Sequence, residues 1–237
     1  MKVAIFVGHS LLANGSYTSA LGYKNEYLVN KSLSKKIQYW LTQAGIDSDV
    51  IICPEKKFKS ASEESGYKLP LANSGKYDLI VELHCNAYTK VEKPMGAEVL
   101  YSSTSTKGKA LAQAIQDQLK TVFTNRGIKG RSNLYMLTKT HAPAIIVETF
   151  FVDSKADCDI YDKQGSDKIA KLIAQGIAGK TIDVKPTNTQ NNTTTKKGKS
   201  YYRVVVGSYA EKSNAEATQQ KLKKAGFDSF LVFQEGI

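Results

Sequence analysis

The chain has 237 residues, of which 41% are hydrophobic and 23% charged, the make-up of a globular domain with room for an appendage. Lys+Arg 33 against Asp+Glu 22 gives a net charge of +11, which favours an anionic partner: nucleic acid, an anionic membrane surface or an anionic wall polymer. No apolar run approaches the length that spans a bilayer, and three scattered cysteines without a C-x-x-C pair argue against a disulfide framework.

Taken in order, Val3-Ala4-Ile5-Phe6-Val7 is a short apolar run closed by Gly8-His9-Ser10, which predicts a buried strand with His9 at its carboxyl end. The run is too short for a signal peptide and has no small-residue cleavage site, so the expectation is synthesis in the cytoplasm and another route for any work outside. A polar loop from Ser10 to Gly22 leads to a helix from about Lys24 to Ala44, ended by Gly45. Its apolar stripe is Val29, Leu33, Ile37, Trp40 and Leu41, and Glu26 falls on the same stripe in the first turn. A carboxylate there suits the helix dipole, but facing inward it needs a partner.

Val50 to Cys53, stopped by Pro54, predicts a second strand. Lys56 to Gly75 has no clear period and reads as loop with some helix. Tyr77 to His84 predicts a central strand that again ends in a histidine, within His84-Cys85-Asn86-Ala87. Gly96 to Tyr101 reads as a short strand, Lys107 to Phe123 as an amphipathic helix, and Asn133 to Leu137 and Ala144 to Glu148 as two further strands. Glu148 closes the last of these as the histidines close theirs. Ser166 to Ala178 predicts a final helix, while His141 reads as a surface residue in a turn. Cys53, Cys85 and Cys158 read as small buried hydrophobes of a chain folded under reducing conditions.

From Asp183 to Ser200 the composition turns polar and of low complexity, which predicts a flexible linker. Residues 202–207 then read as a strand, 213–225 as a helix and 227–233 as a strand, one βαβ unit. The expected organisation is therefore a main domain over 1–182, a linker over 183–200 and a small segment over 201–237. The expected fold is α/β: a mostly parallel open sheet with helices on both faces, plus the small C-terminal βαβ unit.

In such a sheet His9, Glu26, His84 and Glu148 converge at one edge. Any one of the histidines alone reads equally well as a satisfied structural residue. Together, two imidazoles and a carboxylate suit a catalytic zinc with a fourth position open to water, and the remaining carboxylate suits its base. These groups are far apart in sequence, so spacing alone leaves a metal hydrolase and a structural arrangement both open.

Gly8-His9, Asn25-Glu26, Glu82-Leu83-His84-Cys85-Asn86-Ala87 and the pair of runs Asn133 to Leu137 and Pro143 to Glu148 resemble, in order, the motifs of zinc-dependent N-acetylmuramoyl-L-alanine amidases. These are wall-remodelling enzymes and phage endolysins, and the resemblance covers about residues 1 to 180. It departs from the family pattern at Ser10 and at Thr149-Phe150-Phe151. It implies that His9, Glu26 and His84 bind Zn2+ and that Glu148 is the catalytic acid/base. Glu82, on the same strand face as His84, reads as a partner behind a ligand or as an ordinary strand charge. Asn86 and Arg131 are candidate substrate contacts, and Arg131 reads equally as a solvated turn residue. Residues 202–209, 214–217 and 224–227 resemble half of a SPOR domain, a glycan-binding module of peptidoglycan; a unit so small implies tail-to-tail dimerisation, docking or truncation.

The implied function is hydrolysis of the amide between the lactyl group of N-acetylmuramic acid and L-alanine of the stem peptide, on the bacterial wall after release from the cell. Peptidoglycan and anionic wall polymers are then the expected partners, with no nucleic acid and no membrane insertion. A zinc peptidase cutting within the stem peptide and a non-catalytic basic wall- or nucleic-acid-binding protein are the competing readings.

Overall fold

The computed structural model describes residues 1–183, 207, 211–227, 229 and 231. The chain divides into two compact units, Met1–Thr187 and Asn188–Ile237.

The first unit is built on one six-stranded sheet. Its strands are β1 (Lys2–Val7), β2 (Asp47–Ile51), β3 (Leu79–Asn86), β4 (Ala97–Ser102), β5 (Asn125–Arg131) and β6 (Ala144–Phe151), in the spatial order β2-β1-β3-β6-β4-β5. All neighbouring pairs are parallel except β4 with β6, so β4 and β5 run against the other four strands. The carboxyl ends of β1, β3 and β6 therefore lie together at one edge, where open α/β sheets gather ligands.

Helices cover both faces. On one side α1 (Glu26–Gln43), α3 (Thr106–Leu119), α5 (Lys155–Gln164) and α6 (Ser166–Ala178) pack on Val3, Ile5, Val81, Leu83, Ile145 and Val147. The inward stripe of α1 is the predicted one: Glu26, Val29, Leu33, Ile37, Trp40 and Leu41 are all buried. On the other side α2 (Ala61–Ser74) and the single turn α4 (Tyr135–Thr138) cover a smaller cluster of Ala4, Phe6, Ile80, Leu100 and Ile146. Because side chains alternate along a strand, Glu82 and His84 share the face of Ile80, and Glu148 the face of Ile146. The polar groups of the sheet thus sit on its more thinly covered face, towards the carboxyl edge.

Several elements differ from expectation. Asn133 to Leu137 is no strand: Met136 and Leu137 are buried from the one-turn helix α4, and a short apolar run alone does not separate strand from helix. The strand that fills the sheet edge is β5, Asn-Arg-Gly-Ile-Lys-Gly-Arg, which carries no apolar alternation because it is an edge strand. Its register shifts opposite Glu98, and Gly127 there has φ +76, a bulge that re-aims the strand. The second strand lies at Asp47–Ile51, a little before the predicted 50–53. The polar stretch after Lys56 contains α2, started by Ser60, whose hydroxyl accepts from the Glu63 N–H, while Glu63 reaches back to the Lys59 N–H at 2.9 Å. Its inward stripe is Glu64, Lys68 and Ala72, which hides the helix from a search for apolar period. The helix α5 is capped by Ser154 and separated from α6 by Gly165 at φ +78.

In the second unit, α7 (Lys212–Lys224) matches the predicted helix, with three lysines in its last turn that complement the helix dipole. The predicted linker beyond Asp183 and the flanking strands 202–207 and 227–233 fall almost wholly outside the described residues.

Candidate active site

Gly8 ends β1 so closely against β3 that a Cβ there would lie 2.4 Å from the Leu83 carbonyl and 2.6 Å from the His84 ring. Glycine is what lets the two strand ends, and the two histidines, come together. The chain then turns sharply: His9 has φ +66, a left-handed conformation that costs a non-glycine residue about 1–3 kcal/mol and tends to mark functional sites. Asn25 caps α1 by accepting from the Leu28 N–H at 3.2 Å, which sets Glu26 in the first turn pointing at the same edge. A register shift after His84 frees the Cys85 N–H from the sheet ladder, and it donates to Glu26 Oε1 at 3.0 Å. Glu26 Oε2 accepts from the Ala20 N–H at 3.0 Å.

The result is a tight triangle. His9 Nε2 and His84 Nδ1 each lie 3.0 Å from Glu26 Oε1 and 3.1 Å from each other. One atom from each of the three side chains fits within a 4.8 Å span. Tetrahedral zinc at its usual bond lengths holds its ligands about 3.3 Å apart, so the triangle is already near metal-binding size. Glu26 is 3% exposed, but His9 and His84 are 26% and 18% exposed, so the cluster opens to solvent on one side. Without a metal the electrostatics are those of packed unlike charges. Burial works against ionised Glu26, yet hydrogen bonds with both histidines outweigh it and hold its carboxyl well below the usual range. Burial likewise opposes charge on His84, but Glu82 and the bond to Glu26 push its pKa up to about 10.

Glu148 stands directly across from His84 in the β3–β6 register. Its Oε2 is shut off from solvent with no hydrogen-bond partner among the described residues. Burial, with Glu26, Glu98 and Glu82 nearby, lifts its pKa to about 7 against the opposing pull of His84. A nitrogen–oxygen donor triangle with a buried, unpartnered carboxyl across the strand pair has the donor set and the proton carrier that a hydrolytic metal site needs. The residues present fit zinc.

The structure brings Glu82 to within 3.6 Å of His84 Nε2 through its own Oε2. Asn86 sits one step further along β3 and donates to Glu98 Oε1 at 3.1 Å. Arg131 is not brought to the site: it pairs with Ser102, past the Tyr101–Ile145 pair, at the opposite end of the sheet, and is exposed. A cavity of about 460 Å³ lies at that far end, among Ser103, Thr140 and His141, and holds none of the clustered groups. His141 is exposed, as predicted.

A model of the N-acetylmuramoyl-L-alanine amidase family (Amidase_3) matches residues 3–179. The chain belongs to that family. Among solved structures, the catalytic domain of the CD27L endolysin targeting Clostridia difficile is 48% identical, covers 77% of this chain and 99% of its own, and superposes with a TM-score of 0.73. The CwlD amidase of Clostridioides difficile, 23% identical over 75% of this chain and 96% of its own, shares the fold at a TM-score of 0.62. An uncharacterized 38.4 kDa protein of Clostridium perfringens is 33% identical over 201 residues, 81% of this chain and 57% of its own length. The chain thus spans little more than half of the curated relatives it matches first. A SPOR domain model matches residues 167–233, beginning inside α6, a helix of the amidase core.

The amidase core also places at the site residues that no apolar sequence pattern singles out. Glu98, opposite Glu148 on β4, also accepts from Arg126 Nε at 3.0 Å, and the Arg126 guanidinium lies over the Phe151 ring at 4.8 Å. Lys68 of α2 donates to Glu64 at 2.6 Å and to Glu82 at 3.0 Å. The Ser60-Ala61-Ser62-Glu63 capping pattern was the signal for α2, and hence for Lys68. Nothing in the sequence marked Arg126, which the β5 bulge turns inward.

Proposed function

We propose that this protein is a peptidoglycan amidase that hydrolyses the bond between the lactyl group of N-acetylmuramic acid and L-alanine of the stem peptide. The observation that carries the reading is the His9–Glu26–His84 triangle with the unpartnered carboxyl of Glu148 across one strand pair, in a member of the amidase family. His9 Nε2, His84 Nδ1 and Glu26 Oε1 would hold zinc. When bound, the metal acidifies a water and polarises the substrate carbonyl. Glu148, a buried carboxyl whose pKa is raised to about 7 in the metal-free protein, takes the proton from the attacking water. It then passes that proton to the alanine nitrogen as the bond breaks, which keeps the leaving group a neutral amine. The strained turn at His9 and the buried hydrogen bonds of Glu26 hold the triangle in place before substrate arrives.

The protein would act on the bacterial wall after release from the cell that makes it. The +11 charge favours retention on anionic wall polymers, and the SPOR match supports a glycan contact by the C-terminal segment. Pairing of two copies through that segment is the accompanying proposal for the oligomer, read by sedimentation of the full chain. Mass spectrometry of purified peptidoglycan after digestion, with and without chelator, tests the activity. A new free L-alanine amine on an intact stem peptide, abolished by chelator, is expected; release of D-alanine would mean a peptidase instead.

A further inference from the structure

Both histidines of the triangle use one ring nitrogen towards it and leave the other pointing away. What stands behind those second nitrogens is one connected polar chain. Behind His9, Nδ1 lies 3.4 Å from Thr18 Oγ1, and the Thr18 hydroxyl in turn donates to Glu64 Oε2 at 2.8 Å. Thr18 Oγ1 also accepts the Ser10 N–H at 3.0 Å, and the Ser10 hydroxyl donates to the same Glu64 oxygen at 3.1 Å. Behind His84, Nε2 faces Glu82 Oε2 at 3.6 Å. The two branches meet on one ammonium: Lys68 Nζ donates to Glu64 Oε1 at 2.6 Å and to Glu82 Oε1 at 3.0 Å.

This is an unusual way to attach a helix. Glu64, Lys68 and Glu82 are only 4–5% exposed, and the stripe that α2 turns to the sheet is otherwise just Ala72. A buried ion pair is seldom more stabilising than apolar side chains of similar volume, so stability alone does not account for three buried charges in place of leucines. The directions of donation agree throughout. A neutral imidazole that binds through Nε2 at His9, or through Nδ1 at His84, carries its proton on the other nitrogen, where an acceptor waits in each case. The cluster also carries one net negative charge, which offsets part of the positive charge of a dication held by one carboxylate and two neutral rings.

Resting on the zinc-site reading, we infer that Lys68 is a positioning residue: through Glu64–Thr18 and through Glu82 it fixes the ring orientation and tautomer of His9 and His84 together. Helix α2, which contributes no ligand, thereby sets the affinity of the metal site.

Zinc affinity of the full-length protein, measured by competition with a chromophoric chelator, tests this alongside thermal unfolding of the metal-free form. Thr18→Val and Glu82→Gln are each expected to weaken zinc binding about 10- to 100-fold, with Thr18→Ser restoring it. Lys68→Met, if it folds, is expected to weaken binding at least as much as either. Leu33→Ala, a buried core change remote from the network, should lower the unfolding temperature and leave zinc affinity unchanged. If Thr18→Val and Glu82→Gln bind zinc within about threefold of a zinc-binding wild type, or if Lys68→Met folds and does so, the inference is overturned and the site reading stands. A wild-type chain that binds no zinc overturns both.

Discussion

Glu148 and His84 occupy the same register position on adjacent parallel strands, so the proposed acid/base and a proposed metal ligand are held at a fixed spacing by backbone hydrogen bonds. That arrangement makes the catalytic geometry a property of the sheet, the stiffest part of the fold. Replacing Glu148 by Gln keeps the shape and removes the proton carrier. The expected outcome is a loss of about 10²- to 10⁴-fold in kcat with zinc stoichiometry unchanged, read by muropeptide release and metal analysis of the same preparation.

The same substitution has a stability signature. Burial raises Glu148 from 4.5 to about 7, so the folded metal-free protein prefers the neutral carboxyl. Below pH 4.5 the group is neutral in both states and costs nothing; between 4.5 and 7 the unfolded chain ionises first, and above 7 the full cost is present. Metal-free Glu148→Gln is therefore expected to be more stable than wild type above pH 7, by up to about 3 kcal/mol, and equal to it near pH 4. Denaturant unfolding at the two pH values checks this.

His84 adds a second pH dependence in the same direction. Its folded pKa of about 10 lies above the ordinary 6.5, so protonation supports the metal-free fold fully below 6.5 and the support is lost as pH rises to 10. Zinc must displace that proton. The metal-free protein is expected to melt at progressively lower temperature from pH 6.5 to 9, while the upward shift on adding zinc grows. Calorimetric titration in buffers of different ionisation enthalpy should show protons released on binding; a heat independent of buffer would contradict it.

Gly8 has no room for a side chain. Gly8→Ala places a methyl 2.4 Å from a backbone oxygen and 2.6 Å from the His84 ring, and neither neighbour is a flexible chain end. A loss of about 1–3 kcal/mol is expected from overpacking, together with loss of zinc binding, because relief of the clash moves His84.

Arg126 holds Glu98, the carboxylate directly across β4–β6 from Glu148. Among the described residues Arg126→Gln leaves that charge with Asn86 as its remaining side-chain partner and strengthens its repulsion of ionised Glu148. The acid limb of the kcat pH profile is expected to move to higher pH by roughly half a unit or more, from the loss of one partly buried charge partner. An unmoved limb with reduced KM affinity would instead mark Arg126 as a substrate contact.

The strands that carry His84 and Glu148, the turn at His9 after β1, the inward Glu26 and the stripe of α1 are all readable, because period-two and period-3.6 burial leave an apolar trace in sequence, but β3 and β6 run past the predicted ends, to Asn86 and Phe151. Where burial is polar, no such trace exists. Helix α2 faces inward with Glu64 and Lys68, which in sequence look like solvent-facing charges, and only the capping residues at its start betray it. The strand β5 is an edge strand with a glycine bulge, so its polar residues read as loop, and the apolar Leu134, Met136 and Leu137 just after it drew the strand prediction away.

Sequence alone thus singled out the groups of the candidate site: two imidazoles and two carboxylates towards the carboxyl ends of strands or at the start of α1, in the order of an amidase family pattern. These follow from residue type and from patterns a few residues long. Only the tertiary structure decided which charges meet behind and beside them: Lys68 joining Glu64 to Glu82, Glu98 set against Glu148, Arg126 drawn in and Arg131 left at the far end of the sheet. The reason is physical. Those pairings depend on the reversal of β4 and β5 and on the register of strands far apart in the chain, and a charged side chain looks the same in sequence whether its partner is water or a buried ion of opposite sign.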